Sequence, residues 1–461
     1  MINADYLLSG GTVVTVDPRR RVIRDGAVAI AGSRIAAVGK REELEATVTA
    51  KRVIDCKEQL IMPGLVNSHV HFYHTMHRGL TPERLRSWDW SNFVHGKIAT
   101  VLTQEDEIVG GLTVLLEMLK SGTTTFLEAG SYNPSAVIEA ISRIGMRGLM
   151  GRRSFDKAIL GHGMLMDDTQ TCLSCNRRFL EQYRDGYNGG LVKPCVDVVG
   201  LGRVSDELYR ESKAMADDFG TLLNFHLAAF PEEVAHLRKE RDMTPVEHVT
   251  RLGAAGDNVV YVHMVHVSDS DVKLLADTGS NVVHCPTTAV KLNCGLFSHA
   301  KFPQMLDAGV NVALGTDCSD SSNHADMIRT MQLAALLPKE YCEDPAAGTA
   351  ETAIEMATIR GARALGMEKE IGSLEIGKKA DVIIVDMARP EWAPNHNELQ
   401  NLVYSAAGDA VRTVFVEGRI LMEERRVLTV NEDEIVYQCK VAGEQVLERS
   451  GVSIDTRWAF E

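Results

Sequence analysis

The chain has 461 residues, 45% hydrophobic, 24% charged and 6% aromatic, with a formal net charge of -14; this is the composition of a globular protein with ample core material and excludes disordered and fibrous classes. An acidic balance with no Lys/Arg cluster beyond the short Arg19-Arg20-Arg21 excludes the basic surface that nucleic-acid binding requires. No run reaches the roughly 18 apolar residues of a membrane span, and the opening Met1-Ile2-Asn3-Ala4-Asp5-Tyr6 lacks the basic and apolar regions of a signal peptide, so a cytoplasmic protein is expected.

Residues 6–8, 12–16, 27–30 and 34–38 are short β-type runs separated by the turn signals Gly10-Gly11 and Gly32-Ser33, and predict a small antiparallel sheet within residues 1–61. From 62 to 366, β-type runs alternate with segments of helical period, the pattern of a parallel sheet wrapped by helices. The candidate strands are 123–126, 147–150, 194–199, 222–226, 259–263, 281–284 and 310–315, and the run before His69 makes eight. The predicted class is therefore α/β, a (β/α)8 TIM barrel, with catalytic groups at the C-terminal ends of its strands. β texture returns at 380–386, 411–416 and 418–421, so residues 367–431 are expected to pair with 1–61 as a small β-sandwich. Residues 432–461 form a tail with a helical-looking stretch at 439–448 and no assigned role. Nine cysteines scattered from Cys56 to Cys439 do not suggest a disulfide framework, and the lone Cys172-x-x-Cys175 lacks the second pair that a zinc knuckle needs.

The strongest chemical signal is Pro63-Gly64-Leu65-Val66-Asn67-Ser68-His69-Val70-His71. A strand has period two, so both imidazoles leave one face and can share one metal. His226 closes the strand at 222, His263 closes the strand at 259, and Asp317 follows the strand at 310 in Gly315-Thr316-Asp317. A lone histidine at a strand end is usually a packed residue, but three such groups on successive strands after an HxH are not independent. Imidazole and carboxylate together suit one divalent ion, zinc first and iron or cobalt next. Such an ion activates water, Asp317 is placed to take its proton, and His263 to orient the group under attack.

The order of motifs resembles the amidohydrolase superfamily, in its cytosine deaminase-like and chlorohydrolase-like branch. The resemblance rests on PGLVNSHVH with Arg78-Gly79, SGTTT from Ser121, the His226 strand, YVHMVHVSDSD from Tyr261, VVHCPTTAVKLNCG from Val282, LGTD from Leu314, ATIRGARALG from Ala357 and GSLEIGKKADVIIVD from Gly372. It implies His69, His71, His226 and Asp317 as metal ligands and His263 as the catalytic histidine. Deaminases of this branch have HxxE, whose glutamate shuttles a proton to a ring nitrogen, whereas here the fourth position is Ala229. Glu232 and Glu233 replace that acid only if the loop folds back. Together with Asn224 two residues before His226, this departure looks like the phenylurea and thiocarbamate (molinate) hydrolases.

The function expected from the sequence is therefore hydrolysis of a carbonyl C–N or C–S bond in an N-substituted urea, carbamate or thiocarbamate. The alternatives are an aminohydrolase or dechlorinase of a nitrogen heterocycle and, from another class, a non-catalytic binding protein on the same barrel. Asn224, Trp88, Trp90 and His284 are candidate substrate contacts, the tryptophans for an aryl group. Trp88, Trp90 and Phe93 read first as packing, His74, His77 and His266 as locally bonded flanks, and residues 153–175, with Gly161-His162-Gly163, equally as a substrate loop or a plain connection. A second metal would need a bridging lysine, and neither Lys157 nor Lys193 falls at a strand end. The expected partner is a small molecule, with neither nucleic acid nor membrane, in a homo-oligomer.

Overall fold

The computed structural model describes residues 1–85, 87–157 and 165–458, without the side chains of Ser87, Trp88 and His95. Five strands open the chain: β1 (Ile2–Val14), β2 (Val22–Ala31), β3 (Arg34–Lys40), β4 (Val48–Asp55) and β5 (Gln59–Pro63). Ten further strands lie between residues 65 and 318: β6 (Leu65–His71), β7 (Thr123–Ser131), β8 (Arg147–Arg152), β9 (Val192–Pro194), β10 (Val196–Gly200), β11 (Leu223–Leu227), β12 (Val259–His263), β13 (Asn281–His284), β14 (Val312–Leu314) and β15 (Asp317–Cys318). Four close the series: β16 (Val382–Asp386), β17 (Val411–Val416), β18 (Arg419–Glu423) and β19 (Arg426–Val427).

The middle strands form two five-stranded parallel sheets, β10-β11-β12-β13-β14 and β15-β6-β7-β8-β9. They correspond to the eight predicted strands with two of them broken, one at Cys195 and one at Gly315-Thr316. The result is a TIM-barrel-like α/β domain. Its strands are buried on both faces, which is why they read as near-continuous apolar runs and not as alternating ones.

The terminal segments do join, through β5 and β16, which run antiparallel from Pro63↔Val382 to Gln59↔Asp386. They form one nine-stranded sheet, but it is mixed, contrary to the antiparallel sandwich expected. The helix Arg41–Thr47 returns the chain so that β4 lies parallel to β1, and β5 also runs parallel to β1. A crossover element makes this possible where a hairpin cannot.

Residues after 431 contain a docked helix, Glu432–Ser450. Its buried Ala442 and Val446 cluster with Met76 and Ile98, and Lys120 pairs with Glu432 at 2.6 Å. All nine cysteines are free, with Cys172 buried in the helix Thr169–Gln182. Among the described residues no helix is long and apolar enough to cross a membrane.

Candidate active site

The C-terminal ends of β6, β11 and β12 and the first residue of β15, just past β14, bring His69, His71, His226, His263 and Asp317 together, all buried. Nε2 of His69 and of His71 lie 3.4 and 3.7 Å from Oδ1 of Asp317, and the two Nε2 atoms of His71 and His226 are 3.1 Å apart. His263 stands further out, its Nε2 4.0 Å from Oδ2 of Asp317.

The proton on His226 is fixed by its surroundings. Nδ1 lies 2.6 Å from the carbonyl oxygen of Val199, which only accepts, so Nδ1–H donates and Nε2 presents a bare lone pair. Burial, followed by the fields of neighbouring histidines, holds His71 and His226 well below the ordinary imidazole range. Burial also pushes His263 down to about 4, with Asp317 opposing and His69 reinforcing. Burial alone would raise Asp317, but the His69 ring and the fields of His263 and His71 hold its carboxyl well below the usual range. Neutral imidazoles at His71, His226 and His263 beside an ionised carboxylate are the protonation states that a divalent cation requires of its ligands. Both ring nitrogens of His69 and Nδ1 of His71 are buried without a hydrogen-bond partner. These residues form groups that fit a metal ion.

Backbone strain is concentrated at the same strand ends. His263 and Asp317 adopt positive φ, 79° and 61°, costly for residues with side chains unless the surroundings impose it. Asn67 helps to do so: its Oδ1 accepts the N–H of Thr316 at 3.0 Å, and its Nδ2 donates to Thr316 Oγ1 at 2.7 Å. On the other side, Gly200 is in register with His226 and has φ +77°. A Cβ there would lie 2.0 Å from the carbonyl oxygen of His226. Gly200→Ala is therefore expected to displace His226 and weaken the affinity of this cluster for a divalent cation by ~10-fold or more, measurable by competition against a chromophoric chelator.

A second polar constellation adjoins the first, and sequence reasoning missed it. Buried Asp320 accepts hydrogen bonds from His74 Nδ1 at 2.7 Å, Thr81 Oγ1 at 3.0 Å and Trp90 Nε1 at 2.9 Å. His74 was expected to bond locally; the 3₁₀ turn Tyr73–His77 instead turns it inward to a residue 246 positions away. The only hint in sequence was a second aspartate three residues after Asp317. Trp90 thus has a polar tie as well as packing, while the side chain of Trp88 lies outside the described residues, as do residues 158–164 of the suggested substrate loop.

Asn224 lies inside the barrel and donates from Nδ2 to Asp197 Oδ2 at 2.6 Å. The ring of His284 stacks on Phe302 with centroids 3.8 Å apart, and both its nitrogens are buried without partners. His266 bonds the carbonyl of Cys294 at 2.7 Å.

Ala229 is fully buried, and the two following glutamates diverge. Glu233 turns back to accept the N–H of Ala229 at 3.2 Å, and burial pushes its carboxyl up to about 8. Glu232 keeps one carboxylate oxygen, Oε2, buried without a partner. Because Glu233 rises from an ordinary value near 4.5, the folded chain holds its proton where the unfolded chain releases it. Stability is thus lost as pH climbs from about 4.5 to about 8. Glu233→Gln should flatten that part of the stability profile, as read from urea midpoints at pH 5 and pH 8.

A TIM-barrel-like domain whose strand ends gather imidazoles and a carboxylate around bare lone pairs defines a class, the metal-dependent hydrolases. The model of the Amidohydrolase family matches residues 60–421, and the chain belongs to that family. It is similar to 5-methylthioadenosine/S-adenosylhomocysteine deaminase 1 of Syntrophus aciditrophicus, 35% identical over 449 residues covering 97% of this chain and 99% of the relative. Among solved structures it is similar to a zinc-bound adenosine deaminase from Xanthomonas campestris, with a TM-score of 0.89 and 27% identity over 97% of this chain and 99% of that one. It is also similar to a variant of the atrazine chlorohydrolase of Arthrobacter aurescens complexed with zinc and atraton, with a TM-score of 0.87 and 25% identity over 95% and 100% of the two chains.

The chain is a metal-dependent hydrolase acting on carbon–nitrogen bonds. These relatives overturn the likeness to phenylurea and thiocarbamate hydrolases, and with it the urea, carbamate or thiocarbamate substrate expected from the sequence. That expectation rested on Ala229 and Asn224, whereas the deaminase likeness extends over 449 residues. One missing acid removes a single route for a proton and does not define the bond that is cleaved.

Proposed function

We propose that the chain is a zinc-dependent aminohydrolase of a nitrogen heterocycle, with His69, His71, His226 and Asp317 as metal ligands and His263 and Asp317 as catalytic groups. The observation that supports it most is the lock on His226: Val199 fixes its proton on Nδ1 and aims Nε2 at His71, 3.1 Å away. The names of the deaminase relatives support the heterocycle. A divalent ion bound there supplies Lewis acidity and a nucleophilic water near neutral pH. Asp317 is ionised and takes the proton of the attacking water at a carboxylate oxygen. His263, neutral through burial, orients the group under attack from Nε2. With alanine at position 229, protonation of the departing amine falls to Asp317 or His263.

The likeness to the atrazine chlorohydrolase variant favours a second reading, dechlorination of a heterocycle. The test is a panel of aminopurine nucleosides, chlorotriazines and phenylureas offered to the zinc-loaded protein in ¹⁸O-water. Ammonia release with one ¹⁸O in the ring product supports the first reading and chloride release the second; turnover of phenylureas alone contradicts both.

A further inference from the structure

Buried groups at the open end of a barrel need a cover. His69, His71, His226, His263 and Asp317 stand at strand ends, where a TIM barrel meets solvent unless loops close over it, yet none is more than 7% exposed. Part of the cover is the chain that leaves β6 after His71: residues 73–85, beginning with the 3₁₀ turn Tyr73–His77, and the helix Ser87–Phe93.

That helix is tied to the rim on two sides. On one, Trp90 Nε1 donates to Asp320 Oδ2 at 2.9 Å, in the loop past β15, the strand that pairs with β6. On the other, Ser91 Oγ accepts from Arg203 at 2.8 Å, three residues past β10 and beyond β7 and β8 around the barrel. The Trp90 ring stacks on His74 with centroids 6.2 Å apart, and His74 in turn lies 5.2 Å from the ring of His71. The helix thus stands two rings from a proposed metal ligand. Its far end is fixed from outside, where Phe93 packs with Ile98 against Ala442 and Val446 of the C-terminal helix.

Asp320 is the hub of this arrangement and is itself held firmly. Its carbonyl oxygen accepts from Lys291 Nζ at 2.8 Å, and the next residue, Ser321, bonds Thr288 through their hydroxyls at 2.8 Å. The carbonyl of Cys318 accepts the N–H groups of Ser321 and Ser322 at 3.2 and 2.9 Å, which closes a tight turn directly after Asp317. The carboxylate divides its bonds: Oδ1 faces His74, whereas Oδ2 takes Thr81 and Trp90. Release of the second pair therefore leaves Asp320 with its histidine and strands no lone buried charge.

We propose that Asp320 is a positioning residue that latches the helix Ser87–Phe93 across the metal-bearing strand ends, and that substrate is admitted when Oδ2 lets go of Thr81 and Trp90. The metal in the test below rests on the proposed function; the latch does not.

Access is measured without turnover, as the rate at which dipicolinate strips zinc from the loaded protein and the rate at which the metal-free protein takes zinc up. Asp320→Asn should speed both by ~10-fold or more, because the open population grows, and leave the equilibrium affinity within ~3-fold. Unchanged rates overturn the proposal. So does faster stripping with unchanged uptake and weaker affinity, which would make Asp320 a mere support of Asp317. Trp90→Phe, which keeps the ring and removes the N–H, should speed both rates by a smaller factor. If Asp320→Asn does not fold, Thr81→Val decides by the same two rates, and equality with the unmutated chain overturns the latch. A chain that takes up no zinc contradicts the proposed metal site alone. The latch is then judged by amide exchange in the metal-free protein, which in Asp320→Asn should quicken at 89–93 and stay unchanged at 259–263; no local change overturns it.

Discussion

Asp317→Asn is expected to lower kcat by ~1000-fold or more while the chain still folds. Two roles meet in this carboxylate. Its Oδ1 lies 3.4 and 3.7 Å from Nε2 of His69 and His71, where it supplies the negative charge of the proposed ligand set. Its ionised state, maintained against burial by the surrounding histidines, suits it to the proposed role of proton acceptor during attack. The amide keeps the shape and one oxygen but loses the charge and the basicity. The variant should bind zinc more weakly, and saturating zinc should restore occupancy without restoring rate. The measurement is single-turnover rate against zinc content. A variant that regains full rate once zinc is bound would reduce Asp317 to a ligand only.

Arg147→Met is expected to cost about 3–5 kcal/mol, the largest stability effect of any single substitution considered. Arg147 opens β8 and reaches out of the barrel to the nine-stranded sheet, where its Nε and one terminal nitrogen pair with Asp381 at 2.9 and 3.1 Å and that same nitrogen with Glu417 at 2.7 Å. Asp381 is buried and also accepts the N–H of Glu417 at 2.9 Å. Removal of the guanidinium strands a buried carboxylate, which is costlier than never having had the pair. Urea unfolding of the zinc-loaded protein should show the loss, and adding Asp381→Leu to Arg147→Met should recover part of it. A shift of the midpoint equal to that of an exposed substitution would mean that the sheet and barrel do not depend on this tie.

The barrel was legible because parallel strands buried on both faces form continuous apolar runs, as at 259–263, and because each proposed ligand ends such a run. The breaks at Cys195 and at Gly315-Thr316 were not legible. At the second, Gly315 brings the backbone so close to His69 that a Cβ would lie 2.7 Å from the His69 Cβ, a tertiary demand that no local pattern announces. Parallel pairing of β4 with β1 escaped for the same reason, since alternation gives the face of a strand and not the direction of its neighbour. The proposed ligands could be read from strand position, whereas Asp320 with His74 depends on loops that meet only in the fold. Ala229 was visible from the start, but its meaning as a substrate marker did not hold.

The central claim is tested most directly by titrating zinc into metal-free protein while ammonia release from an aminopurine nucleoside is followed. Activity should be absent at first, rise in proportion to added zinc, and level off at about one equivalent per chain, as expected for a single site of three imidazoles and one carboxylate. Undiminished ammonia release from the metal-free protein, or none at any zinc level, would contradict it.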